Sequence, residues 1–426
     1  MTEMKQRPLC EGAQFRSIRD GRFKTVLMSV HFLLPLRRET VAENAILPFL
    51  LTRATQQYPD FTKLNEHLAE LYGASLDADT ERIGDAQALT VSASAIADRY
   101  ALNGERLSDE LSELLCGVCF DPLLEDGLFP EDGFEQERRQ LAETIDAEFN
   151  DKRVYALRRC EEVMCADEPF GVGRCGTKEG VRRLRRESLT PAWDFMIHHA
   201  RTEVMVLGNC NPEPVYRRFA AAFRKLGRAA AEPCPMKVVR KAGEPKSVTE
   251  RMDVAQSKLV MGFRTGAAGT DEAVPAFHVM SALFGATPTS KLFLNVREKM
   301  SLCYYCSSSY NSNKGILEVQ SGVERKDAAR AKEEILAQLE AIRGGAFTDA
   351  EVDDTKRYLN NLLHSCSDSL GAMEYWYLMR TFSDPDRTPE RQAELISAVT
   401  RDDIIRAAEN TTLDTVYLLT GNGGEA

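Results

Sequence analysis

Six histidines and eleven cysteines are the side chains of this 426-residue sequence best suited to hold a metal or to act as nucleophiles. Their spacing argues against both uses. His198 and His199 are adjacent, so on a helix they point to different faces, and His31, His67, His278 and His364 are isolated. Neither His-Glu-x-x-His nor His-x-x-Glu-His occurs anywhere in the chain. Those spacings place two imidazoles and a base on one helix face for a catalytic zinc. Two Cys-x-x-Cys pairs are present, Cys116–Cys119 and Cys303–Cys306. Paired thiolate knuckles that share a zinc are usually about 15–20 residues apart, whereas these pairs lie in opposite halves of the chain. Cys116 and Cys119 sit in an apolar helical stretch, where cysteine serves as a small core residue. Cys303 and Cys306 fall on an expected strand, which points them to opposite faces. Metal analysis and thiol titration would test a cysteine-based redox or metal protein directly. Gly262, Gly266, Gly269 and Gly285 lack the Gly-Lys-Ser/Thr of a phosphate cradle. The run Arg182-Arg183-Leu184-Arg185-Arg186 reads as a solvated helix face, able also to dock an acidic partner.

The elements that must position any site alternate between strands and helices. Gln14–Ile18 and Phe23–Phe32 flank Asp20-Gly21, a strong hairpin signal. A helix is expected over Glu43–Thr55, although Pro48 inside it should delay its start or kink it. A second helix over Lys63–Tyr72 leads to a hairpin that opens at Gly73 and returns through Ala88–Ala95. Helices follow at Leu107–Cys119, Phe134–Cys165 and Pro191–Ala200, then a strand at Glu203–Asn209 and a helix at Pro212–Leu226. Around 227–247 the composition turns to Ala, Pro, Lys and Gly, which marks a linker. Beyond it the order resumes: a strand at Lys258–Phe263, helices at Ala276–Leu283 and Leu292–Lys299, and a hairpin of Tyr304–Tyr310 with Gly315–Val323. Helices at Lys326–Arg343, Asp349–His364, Ala372–Phe382 and Thr400–Asn410 precede a last strand at Thr415–Asn422.

The two halves close alike. Leu189-Thr190 precedes a helix and the strand ending Gly208-Asn209; Val399-Thr400 precedes a helix and the strand ending Gly421-Asn422. A divergent duplication explains this repeat of element order on both sides of a linker. The expected fold class is α+β, with two duplicated halves, each a largely antiparallel sheet covered by helices. The expected divisions are 1–227, a linker over 228–247, and 248–426.

Composition narrows the function classes. Hydrophobic residues make up 43% and charged residues 28%, with a formal net charge of -11. That acidic balance disfavours a general nucleic-acid or anionic-membrane binder. No apolar run reaches the roughly 20 residues of a membrane helix, and Met1–Gln6 lacks the apolar stretch of a signal peptide. With an odd number of scattered cysteines, the expectation is a reduced, cytoplasmic protein.

One segment points to a family. Ser290-Lys291-Leu292-Phe293, three residues, then Arg297-Glu298-Lys299-Met300-Ser301-Leu302-Cys303-Tyr304 resembles a segment of the pitrilysin/insulinase-like (inverzincin) peptidases. There it reads roughly Ser-Arg-Leu-Phe, three residues, then Arg-Glu-Lys-x-Gly-Leu-Ala-Tyr. The resemblance places the chain in the bacterial processing-peptidase-like subgroup and implies that Arg297 and Tyr304 help hold a substrate backbone. Their chemistry suits the task, since a guanidinium fork and a phenol hydroxyl both donate to peptide carbonyls. Aligned on Ala54-Thr55, where relatives have Gly-Thr, the zinc-ligand and base positions of active members fall on Ala45, Pro48 and Phe49. None of these side chains binds a metal or moves a proton. The distal ligand position falls on Glu143 or Thr144, and one oxygen donor without the histidines is not a zinc site.

The resemblance therefore implies half of an enzyme: a non-catalytic subunit, without a cofactor of its own, of a metallopeptidase heterodimer. The implied partner is a homologous zinc-bearing subunit and the implied ligand a peptide, with no nucleic acid and no membrane. The alternative is a structural or interaction protein that keeps the fold without any proteolytic role.

Overall fold

The computed structural model describes residues 4–228 and 230–422. Met1–Glu3, on which part of the signal-peptide reading rests, Ala229 of the linker stretch and the residues after 422 lie outside them. The fold is α+β, with two sheets clothed by helices. In the first, β1 (Lys5–Cys10), β2 (Ala13–Arg19), β3 (Thr25–Pro35), β4 (Ser75–Ile83), β5 (Ala86–Ile96) and β6 (Arg201–Gly208) lie in the order β1-β2-β6-β3-β5-β4. In the second, β7 (Lys246–Met252), β8 (Ser257–Arg264), β9 (Cys303–Asn311), β10 (Ile316–Val323) and β11 (Thr412–Gly421) lie in the order β7-β11-β8-β10-β9. β2 and β6 are parallel, as are β7 and β11, and every other neighbouring pair in the two sheets is antiparallel. Apart from β1, the second sheet repeats the first strand for strand.

That repeat overturns the Asp20-Gly21 hairpin. β2 and β3 are not partners, because β6 lies between them. Asp20 spans the end of β6: its N–H donates to the Gly208 carbonyl at 3.0 Å, while its carboxylate accepts from the N–H and guanidinium of Arg22. The physical reason lies in β6 itself. Thr202 to Gly208 are buried without interruption, and a strand apolar on both faces belongs in a sheet interior. β11 enters between β7 and β8 in the same way.

β1 and β7 have no counterpart in the sequence reading. Both are edge strands with largely exposed residues, and β1 contains Pro8, so neither shows an alternating apolar pattern. The expected helix over Phe134–Cys165 is two helices, Glu131–Asn150 and Lys152–Met164. Asp151 starts the second, its carboxylate accepting from the N–H groups of Arg153 and Val154. The fold adds a helix over Pro389–Ala398, whose N-cap Thr388 side chain accepts from the Arg391 N–H.

Two compact units emerge, Met1–Ala147 with Val172–Pro235, and Glu148–Gly171 with Met236–Ala426. The core of the first gathers Phe15, Phe32, Leu47, Leu115 and Phe219. That of the second gathers Phe263, Phe284, Leu292, Val296 and Leu317. Within the second unit, Ala156 and Cys160 of the helix Lys152–Met164 pack on Val260, Tyr417 and Leu419. A buried charge cluster secures the end of this segment: Glu168 meets Arg264 at 2.6 Å and Lys314 at 3.0 Å, and Arg264 also meets Asp414 at 3.1 Å. Among the described residues no helix is long and apolar enough to cross a membrane.

Candidate functional site

The stretch onto which the resemblance places the zinc-ligand and base positions lies on the helix Val41–Leu51, which runs through Pro48 and begins earlier than expected. Proline costs a helix interior about 3 kcal/mol relative to alanine. Burial outweighs it here, since Val41, Ala42, Ala45, Ile46, Leu47, Leu50 and Leu51 are all in the interior. Ala45 is fully buried and its carbonyl accepts from the Thr80 hydroxyl at 3.2 Å. Pro48 is buried and Phe49 half-buried. A zinc ion does not fit these residues: they carry no side-chain donor, and Ala45 is held in packed core. Among the described residues no three His, Cys, Asp or Glu side chains stand together as a metal-binding group.

Glu143 and Thr144 are exposed on the helix Glu131–Asn150. Thr144 donates to the Gln140 carbonyl at 3.0 Å, a local helix contact. The carboxylate on this helix that does turn inward is Glu137, buried and accepting from Arg53 Nη1 at 2.8 Å. Gly133, one turn earlier, leaves the space the Arg53 side chain occupies, since a Cβ there would stand 3.3 Å from Nε. Sequence spacing gave no sign of this pair, whose members are 84 positions apart.

The second unit holds the residues the resemblance singled out, and it brings them together. Arg297 and Tyr304 line one open cavity of about 540 Å³ with Glu298, Ser301, Cys303, Glu324, Lys326 and Asp327. Both lie at the surface, the Arg297 side chain 41% exposed and Tyr304 61%. The Arg297 guanidinium stands 4.7 Å from the Phe293 ring centroid.

The backbone that presents them is irregular in three consecutive places. Leu292–Lys299 is wound as a π-helix, and at its end Met300 N–H donates to the Asn295 carbonyl, five residues back. Such widened turns are uncommon and concentrate at functional sites. Ser301 then adopts φ 51°, the left-handed region that disfavours any side chain. Next, β9 carries a bulge: Tyr305 pairs with Gly322 and Cys303 with Val323, which leaves Tyr304 as the extra residue. β9 is also the edge of its sheet, so among the described residues one side of its backbone has no strand neighbour.

The bulge corrects the reading of Cys303 and Cys306. A regular strand would send them to opposite faces. Here their cross-strand partners are Val323 and Ser321, two residues apart on β10 and therefore on one face. Both cysteines accordingly pack against the same core. The other pair behaves as expected: Cys119 is fully buried and Cys116 packs against the core of the first unit.

Comparison with known proteins finds relatives of the fold. The family model described as Peptidase M16 inactive domain matches residues 183–359. A Bacillus subtilis protein named probable inactive metalloprotease YmfF is 32% identical over 412 residues, spanning 96% of this chain and 95% of its own. The crystal structure of a conserved protein from Enterococcus faecalis V583 covers 100% of both chains with a TM-score of 0.91 and 28% identity. A protease from Helicobacter pylori aligns with a TM-score of 0.80 over 98% of this chain and 99% of its own; at 16% identity that likeness shows the fold alone.

Proposed function

The chain belongs to the M16, pitrilysin/insulinase-like peptidase family, and from that premise we propose that it is a non-catalytic subunit that holds peptide for a zinc-bearing homologous partner. The observation that carries this reading is the pairing of Arg297 and Tyr304 at one open cavity beside the edge strand β9. An extended peptide could add to that edge through its backbone. The Arg297 fork and the Tyr304 hydroxyl would then donate to its carbonyl oxygens. The charge-assisted bond from Arg297 contributes about 1.5–3 kcal/mol and the neutral one from Tyr304 about 0.5–1.5 kcal/mol. The positions at Ala45, Pro48 and Phe49 supply no zinc, so bond cleavage belongs to the partner. In this reading the halves 1–227 and 248–426 are joined by 228–247, and the pair works in the cytoplasm.

Affinity purification from the native cell, with metal content measured on the recovered complex, tests the partner. The expected result is a homologue bearing His-x-x-Glu-His and stoichiometric zinc. The lone chain should bind no stoichiometric zinc and cleave no peptide, and chelator-sensitive cleavage by it would sink the proposal. Arg297→Ala should lower peptide cleavage by the reconstituted pair at least tenfold, mainly through KM. If that variant leaves the pair unchanged, or no zinc-bearing homologue is recovered, the chain is a structural or interaction protein that retains the fold.

A further inference from the structure

We propose that Cys303 and Cys306 form a peroxide-oxidisable dithiol, with Cys303 the attacking thiolate and Cys306 the thiol that resolves it. The inference rests on the bulge and the cavity, independently of any partner or peptide. The bulge at Tyr304 puts both sulfurs on one face of β9. Cys303, half-buried, lines the open cavity of about 540 Å³, while Cys306 stands behind it at 5% exposure. A small oxidant reaches the first, and the second is shielded.

The electrostatics favour the same division. A hydrogen bond with Cys306 is the largest influence that brings Cys303 down to about 7, supported by the Ser321 hydroxyl and the positive charge of Arg297. Cys306 moves the opposite way, raised by its bond with Cys303 and by burial. The charged groups at the cavity are Arg297 and Lys326 on one side of the balance and Glu298, Glu324 and Asp327 on the other. Burial pushes Cys10 and Cys366 up, and Cys116 and Cys234 to about 12, so these other partly exposed thiols hold their protons at neutral pH.

The chemistry balances with a hydroperoxide as the oxidant. The Cys303 thiolate attacks the O–O bond, taking one oxygen as a sulfenic acid while the other leaves as an alcohol or, from hydrogen peroxide, as water. The Cys306 sulfur then displaces the sulfenic hydroxyl, forming the disulfide and releasing a second molecule of water. Two electrons pass from the thiols to the peroxide.

The full chain treated with a small excess of hydrogen peroxide at neutral pH, then alkylated and mapped by mass spectrometry without reduction, tests this. The expected product is a Cys303–Cys306 disulfide, with the remaining nine of the eleven cysteines still alkylated. Cys306→Ser should halt at Cys303 sulfenic acid, trapped by dimedone. Cys303→Ala should abolish oxidation of Cys306, and its circular dichroism should match the parent, because the related family segment has alanine at this place. Oxidation of Cys303 no faster than that of Cys10 or Cys366, or a bridge between other cysteines, would overturn the proposal.

Discussion

The hairpins β4–β5 and β9–β10 occupy the same place in two sheets of the same strand order, yet they are built differently. The first follows a regular helix, Phe61–Glu70, capped by Asp60, and its register runs unbroken from Ser75 to Ile83. The second follows a π-helix and is bulged at Tyr304. Both hairpins are entered through left-handed backbone: Tyr72 at φ 59° and Gly73 at φ 73° before one, Ser301 at φ 51° before the other. Duplicated architecture thus diverged in the winding of the preceding helix and in the register of the hairpin. The irregular copy is the one that bears the open cavity with Arg297 and Tyr304. Conversely, Ala45 and Pro48, where the resemblance would place a zinc ligand and the base, are packed in core. The bulge re-aims Tyr304 and the two cysteines, whereas left-handed strain at a non-glycine residue precedes both hairpins.

The comparison can be broken most forcefully at the closed site. Ala45→His should destabilise the protein by about 3–5 kcal/mol, because an imidazole must enter packed core and bury polar atoms. Urea unfolding measures it. A loss under about 1 kcal/mol, with zinc uptake once Pro48→Glu and Phe49→His are added, would show that the site is merely dormant.

Glu137→Ala should cost about 1–3 kcal/mol in the same assay, since Arg53 would lose its partner while itself only 21% exposed. An unchanged midpoint would remove this pair from the account of what holds the first unit's helices.

A third test separates the halves by pH. Burial, with Arg380 and Arg387 nearby, lowers His278 in the second unit to about 4. An unfolded histidine titrates near 6.5, so between those values the unfolded chain binds more protons. Stability is therefore fully present above about pH 6.5 and falls as pH drops toward 4, by roughly 3 kcal/mol. Amide exchange along β9 and β10 should accelerate over that window, and His278→Gln should flatten the response.

The smallest effect is the most direct comparison. Ser301→Gly relieves the left-handed side chain but adds freedom to the unfolded chain, for a net gain of about 0.5–1 kcal/mol. Gly73→Ser should lose a similar amount, although a Cβ there meets no atom within 4 Å. Equal and opposite shifts in Tm would show that glycine is worth the same at both left-handed positions. If Ser301→Gly destabilises, the Ser301 side chain contributes to the cavity beyond its backbone.

Much of this was legible in the residues. The absence of both zinc spacings, the segment from Ser290 to Tyr304 and the Gly-Asn strand ends each lie within a short stretch of chain, where local periodicity and motif reading work. So do the β4–β5 and β9–β10 hairpins, whose partners are adjacent in sequence. The histidines, which nowhere show a zinc-binding spacing, are likewise read from the sequence alone. Tertiary structure alone decided the insertion of β6 and β11 between strands the chain visits much earlier, because sheet order is settled by which strand can be buried on both faces. It alone tolerated Pro48 in a helix, where packing outweighs propensity. It also set Arg53 on Glu137 across 84 positions. And it turned Cys303 and Cys306 to one face, since a single bulged residue shifts every alternation before it and leaves no trace in composition.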